Sequence, residues 1–292
     1  MLKYKLFHAF LFLILNIGLA KPIHIKLEGS NFVYFINKDA NRLIVLTDSL
    51  NYSSYNLETG QKEQKKYSYV SDESFTFFRS AYTPVYENYK DILFIDNGCG
   101  RVYQWRNDSI IRIDRSFHHK NQFHNSTFYH NGKVFLYGGY GFFQAKNIIT
   151  TYDKVLNEWF LYDVGGKKPF VTPYYYSSYE EGVLTVFNFK EANSQIASVY
   201  QIDIKDKRWK YFGDIKAPSP SIVLNNVVSL RNLDYLILDK LLARWDIKSH
   251  SFNYFKLPVA FQLKYIKVIG NNILVLGATS QENPYYFLIY KK

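Results

Sequence analysis

Four histidines, His118, His119, His124 and His130, fall within or beside the segment SFHHKNQFHN at residues 116–125. Imidazoles bind metal ions or shuttle protons near neutral pH. Here the spacing matches no metal-ligand pattern, and adjacent His118 and His119 would point to opposite sides of an extended strand, so neither a metal ion nor any other cofactor is expected. A different chemistry stands out in the same segment and in GYGFFQAKN at 139–147. Together they carry Phe117, His118, Lys120, Asn121, Gln122, Tyr140, Phe142 and Phe143. Rings stack on flat apolar surfaces while amides orient hydroxyls or backbone groups, so these eight residues are the candidate ligand-binding set.

Other reactive groups have plainer readings. Cys99 sits in Asn97-Gly98-Cys99-Gly100 and is the one cysteine of the chain, so no intrachain disulfide can form. A quiet thiol fits it better than a nucleophile, because no catalytic dyad can be assigned. Glu180 and Glu181 occupy a hairpin turn and are expected to be solvated. Asp153, Asp203 and Asp246 recur periodically, which points to hydrogen bonding within turns. No catalytic residue is assigned. Asn51, Asn107 and Asn125 begin N-x-[ST] sequons, which matter only in a glycosylating host.

The elements that would position these groups repeat along the chain. Short apolar strands begin at Leu43, Ile92, Val134, Val183, Tyr235 and Ile273, at intervals of roughly 40–50 residues, each introduced by polar turn residues. After each of the first five comes a Tyr, Ile or Trp followed by a polar residue, as in Tyr55-Asn56, Tyr103-Gln104, Tyr152-Asp153, Ile202-Asp203 and Trp245-Asp246. Beyond three of these pairs an aromatic recurs at one offset: Trp159, Trp209 and Phe252. The pattern describes a strand, a tight turn and a returning strand whose first large ring packs between neighbouring sheets. Repeats 1 and 2 are degenerate there, with Lys62 and Ile110.

Lys3 and Lys5, the apolar stretch from Leu6 to Ile17 and Gly18-Leu19-Ala20 read as a secretory signal peptide over 1–20. The expected mature protein is then a single domain over 21–292, secreted or periplasmic, with no membrane span after cleavage. Its charge, +11 for the whole chain, is spread without a polybasic run, and no nucleic-acid-binding motif is present, so nucleic acid is not an expected partner. A composition of 47% hydrophobic and 19% aromatic residues supplies a packed core without disulfides.

Residues 129–163, YHNGKVFLYGGYGFFQAKNIITTYDKVLNEWFLYD, resemble a kelch repeat: Gly138-Gly139 end one strand, Tyr152-Asp153 close the next, and Trp159 opens the last. Residues 175–213 match less fully, with Phe187-Asn188 in place of the double glycine. The resemblance implies an all-β, six-bladed β-propeller of four-stranded antiparallel blades. The last repeat ends at YYFLIY, 285–290, one strand short, while IHIKLE at 23–28 is unused, so the N-terminal strand is expected to complete the final blade and close the ring.

The function that follows is a monomeric, non-enzymatic binding module for a protein or carbohydrate ligand on one face. It resembles the extracytoplasmic propellers of bacterial sensory proteins, which implies a part in envelope signalling. The alternative is an enzyme similar to periplasmic kelch epimerases that mutarotate a sugar acid.

Overall fold

The computed structural model describes residues 23–26, 32–37, 41–47, 50–69, 82–86, 92–96, 98, 100–115, 122–222, 236–238, 241–256, 262–269, 272–278 and 285–291. The signal-peptide expectation for 1–20 therefore lies outside the described residues.

Strands form nearly all of the regular structure, with helical residues only at 220–222 among those described. In chain order, β1 (Ile23–Lys26) comes first. A first sheet follows as a meander of β2 (Phe32–Asn37), β3 (Arg42–Thr47), β4 (Asn51–Asn56) and β5 (Lys62–Lys66). After β6 (Ser68–Tyr69), the second sheet contains β7 (Tyr82–Tyr86), β8 (Ile92–Asp96), β9 (Val102–Arg106) and β10 (Ser109–Arg112). The third contains β11 (Ser126–His130), β12 (Lys133–Tyr137), β15 (Ile149–Asp153) and β16 (Glu158–Leu161), and a separate two-stranded hairpin of β13 (Tyr140–Gly141) and β14 (Gln144–Ala145) is inserted between β12 and β15.

After β17 (Gly165–Gly166), the fourth sheet contains β18 (Tyr175–Glu180), β19 (Val183–Asn188), β20 (Ile196–Asp203) and β21 (Arg208–Lys216). The fifth shows β22 (Leu236–Leu238), β23 (Leu241–Asp246) and β24 (Ser251–Lys256), and the strand that would precede β22 falls outside the described residues. The sixth contains β25 (Gln262–Ile269), β26 (Asn272–Ala278) and β27 (Tyr285–Lys291), and its fourth strand is β1. Ile23 pairs with Ile289 and Lys26 with Tyr286 in antiparallel register, so the two ends of the chain meet in one sheet.

All six apolar runs read from the sequence are strands, namely β3, β8, β12, β19, β22 and β26. Alternation explains how they bury both faces, because successive side chains of a strand point to opposite sides. In β8, Ile92 and Phe94 pack toward Ile44 and Leu46 of the first sheet. Leu93 and Ile95 pack toward Val134 and Leu136 of the third. In β12 the other parity, Phe135 and Tyr137, meets Leu184 and Val186 of the fourth sheet. Phe187 and Val199 of the fourth meet Ala243 and Trp245 of the fifth. Consecutive sheets thus stack face to face in chain order from the first to the fifth.

The recurring offset aromatics sit in these interfaces. Trp209 is buried between the third and fourth sheets, Phe252 packs between the fourth and fifth, and Trp159 packs at the second-to-third interface, where its Nε1–H donates to the Gly100 carbonyl at 2.6 Å.

The recurring Asp residues do what their period suggests. Asp153 Oδ1 accepts the N–H groups of Val155 and Leu156 at 2.8 and 2.9 Å. Asp246 Oδ1 accepts Lys248 and Ser249, Asp203 accepts Lys205, and Asn56 takes the same part in the first sheet. Gly60, Asn157, Lys207 and His250 then each adopt a positive φ that returns the chain into the next strand.

Two sheets depart from the four-stranded expectation. The linker strands β6 and β17 add in parallel to the outer strands β10 and β21, making the second and fourth sheets five-stranded. A chain leaving the outer strand of one sheet must cross the outer edge of the next, and pairing there satisfies backbone groups and covers an open edge. Ser68 N–H donates to the carbonyl of Asp108, Arg115 to that of Asn157 and Gly165 to that of Lys207, so the same strap recurs on three sheets.

Candidate functional site

Two connections converge at one end of the third sheet: the segment entering β11 and the β13–β14 hairpin between β12 and β15. Phe123 and Tyr140 exchange two backbone hydrogen bonds of 2.8 Å, so the segments form a continuous platform. Lys146 N–H donates to Gly139 O and Gly138 N–H to Ile148 O, which closes the hairpin at its base.

The double glycine makes this exit possible. Gly138 and Gly139 have φ of 68° and 90°. A Cβ on Gly138 would lie 2.6 Å from the Tyr175 hydroxyl, and one on Gly139 would lie 2.8 Å from the backbone of Gln122. Instead, Gly139 N–H donates to Tyr175 Oη at 2.8 Å, and that hydroxyl lies 3.1 Å from the Tyr137 carbonyl and 3.2 Å from that of His124. The first long strand of the fourth sheet, β18, therefore holds both connections of the third.

The tip is built differently from its base. Phe142 and Phe143 are its two central residues, with φ of 49° and 60°. They are 68% and 94% exposed, and Tyr140 is 43% exposed. A two-residue hairpin turn needs positive φ at both positions, which ordinarily selects Asn, Asp or Gly. Other such turns here use Asn131-Gly132, Glu181-Gly182 and Asn107-Asp108. A bulky side chain in the left-handed region costs on the order of 1 kcal/mol or more. Phe143 returns almost nothing in burial and Phe142 only a part, so burial does little to offset the backbone cost.

Of the eight candidate residues, the structure brings Gln122, Tyr140, Phe142 and Phe143 together. Phe117, His118, Lys120 and Asn121 lie outside the described residues, as do His119, Asn97 and Cys99. Gln122 belongs to the scaffold, since it is buried, its Nε2 donates to Gly138 O at 3.1 Å and its Oε1 accepts from Thr150 at 2.8 Å. Among the remaining histidines, His124 contributes its backbone carbonyl as above, while His130 Nδ1 lies 2.7 Å from the Tyr179 hydroxyl. Burial, with a further push from Asp203, raises that hydroxyl to about 12. No cluster of metal-binding side chains occurs among the described residues.

Several features had no signature in the sequence. Glu180, read as solvated, accepts from an Arg244 guanidinium N–H at 2.6 Å and ties the fourth sheet to the fifth. Asn147 Nδ2 donates to Pro169 O at 2.7 Å, placing residues 167–174 beside the hairpin. A cavity of about 520 Å3 opens between the fourth and fifth sheets, with Gln195, Lys216, His250 and Tyr254 on its walls. Each of these joins residues distant in the chain, so no local pattern announces it.

Gly98 of the second sheet abuts the platform, because a Cβ there would fall within the ring of Phe123. Behind it, Arg101 makes a buried ion pair with Asp96, 2.6 Å from Nη2 to Oδ2. These contacts make a firm base for the exposed tip.

No protein-family model matches the chain, and no curated protein matches it in sequence.

Proposed function

We propose that the chain is a kelch-like six-bladed β-propeller, exported after loss of residues 1–20, that acts as a non-enzymatic binding module for a protein or carbohydrate ligand. The observation that carries the reading is the contrast within one hairpin: a base locked by Tyr175, Gly138 and Gly139, and a tip of two exposed phenylalanines in unfavourable backbone conformations. Backbone strain held by a rigid surround points toward function when it coincides with an exposed contact surface. Stacked sheets with the first strands of neighbours side by side, and β1 completing the sixth sheet, support the closed ring.

Two experiments test the two halves of this reading. Deleting residues 21–29 removes β1 and should destabilise the sixth sheet together with the first, read as a lowered melting temperature; an unchanged melt would argue for an open array. Exported protein applied to a glycan array and to an envelope-protein fraction should capture ligand, and Phe142→Ala with Phe143→Ala should abolish capture. Capture indifferent to those changes would move the site elsewhere.

A further inference from the structure

Phe142 and Phe143 lack the polar handle that Tyr or Trp brings to a hydroxyl-rich ligand. Rings so exposed, on a tip and not in a cleft, gain most by entering an apolar medium from outside. Their surroundings narrow the choice of medium. The hydrogen bond from Asn147 to Pro169 sets a second loop beside the hairpin, and on it Val171 and Tyr174 are 56% and 38% exposed. Lys167 and Lys168 on that loop are exposed, and Lys146 on the hairpin is half-buried. Residues 138–152 and 164–179 contain no acid. Lys167 stands 4.2 Å over the Tyr211 ring with Asp214 nearby, which leaves Lys146 and Lys168 as the cations of the two segments facing no such partner among the described residues. Side by side, the two loops offer apolar tips with cations at their base.

We infer that this double-loop surface docks on an anionic lipid bilayer, the phenylalanines entering the interface and the lysines meeting the headgroups. Apolar insertion and basic attraction are each weak alone and bind a membrane surface in combination. A neutral pocket on a partner protein would account for the rings and not for the lysines beside them. The inference rests on the hairpin being the interaction surface, as proposed above, and goes beyond the protein or carbohydrate ligand proposed there by giving that surface a lipid target.

The test is co-sedimentation of the exported chain, its N-terminus read by intact mass, with phosphatidylglycerol/phosphatidylcholine vesicles and with phosphatidylcholine alone. Binding to the anionic vesicles is expected, weakened by salt and about tenfold or more weaker for Phe142→Ser with Phe143→Ser. Lys146→Glu with Lys168→Glu should erase the preference for anionic vesicles. Every variant shares one N-terminus, so a difference among them reports the loops, and thermal melts confirm that each is folded. Equal binding by wild type and the serine variant overturns the inference, as does equal binding to both vesicle types. Absence of vesicle binding, with hairpin-dependent capture of a glycan or protein retained, overturns the lipid assignment alone. Loss of both overturns the interaction surface itself.

Discussion

The third sheet and the hairpin inserted in it each carry a two-residue turn, of the same backbone shape and opposite composition. Asn131-Gly132 joins β11 to β12, and Phe142-Phe143 joins β13 to β14, with positive φ at all four residues. In the first turn each residue is the one its backbone asks for, and a Cβ on Gly132 would meet only open space. In the second the backbone asks for the same and receives two aromatic side chains, both exposed. The difference separates residues chosen by folding from residues that folding alone would discard.

The largest effect should come from breaking the base that holds the second turn in place. Gly139→Val puts a branched side chain where a Cβ already lies 2.8 Å from backbone, at a positive φ. We expect a loss of about 3 kcal/mol or more in urea denaturation, together with loss of ligand capture. A neutral result would mean the base is not rigid. Next, Phe142→Asn with Phe143→Gly gives the second turn the residues of the first and should raise stability by about 1–3 kcal/mol. The reverse exchange, Asn131→Phe with Gly132→Phe, should lower it by a similar amount without creating binding, and a gain in stability there would remove the strain argument.

The smallest effect belongs to the Asp-based turns. Backbone N–H groups of Leu156 and Val155 hold the Asp153 carboxyl below the usual carboxylate range. Because the folded value is depressed, its contribution is present above the unfolded pKa of about 4 and is lost as pH falls through the lower folded value. Asp153→Asn should keep the turn, as Asn56 does in the first sheet, and should flatten the stability profile slightly below about pH 4. A denaturation midpoint series across acid pH checks this, and an unchanged slope would remove the carboxylate from the account.

What could be read from the chain follows the range of the interaction involved. Asp153, Asp203 and Asp246 were legible because an acceptor and the N–H groups it binds lie within a few residues. The offset aromatics were legible because three successive repeats each place a ring against the preceding sheet. Pairing of β1 with β27 could be reached only by noticing a missing strand at one end and an unused one at the other. Gln122 was misleading: an amide has the same chemistry facing solvent or a neighbouring strand, and its burial depends on Gly138 and Thr150. Straps as short as Ser68–Tyr69 and Gly165–Gly166 leave no alternation to detect. The cationic surround was hidden because the segments carrying Lys146 and Lys168 are joined by the bond from Asn147 to Pro169, residues 22 apart in the chain.

The most direct measurement takes stability and binding from one protein, Phe142→Asn with Phe143→Gly. A tip kept for contact predicts a raised denaturation midpoint together with lost capture of anionic vesicles and of any glycan or envelope protein that wild type retains. Unchanged binding in a protein of raised stability would contradict it.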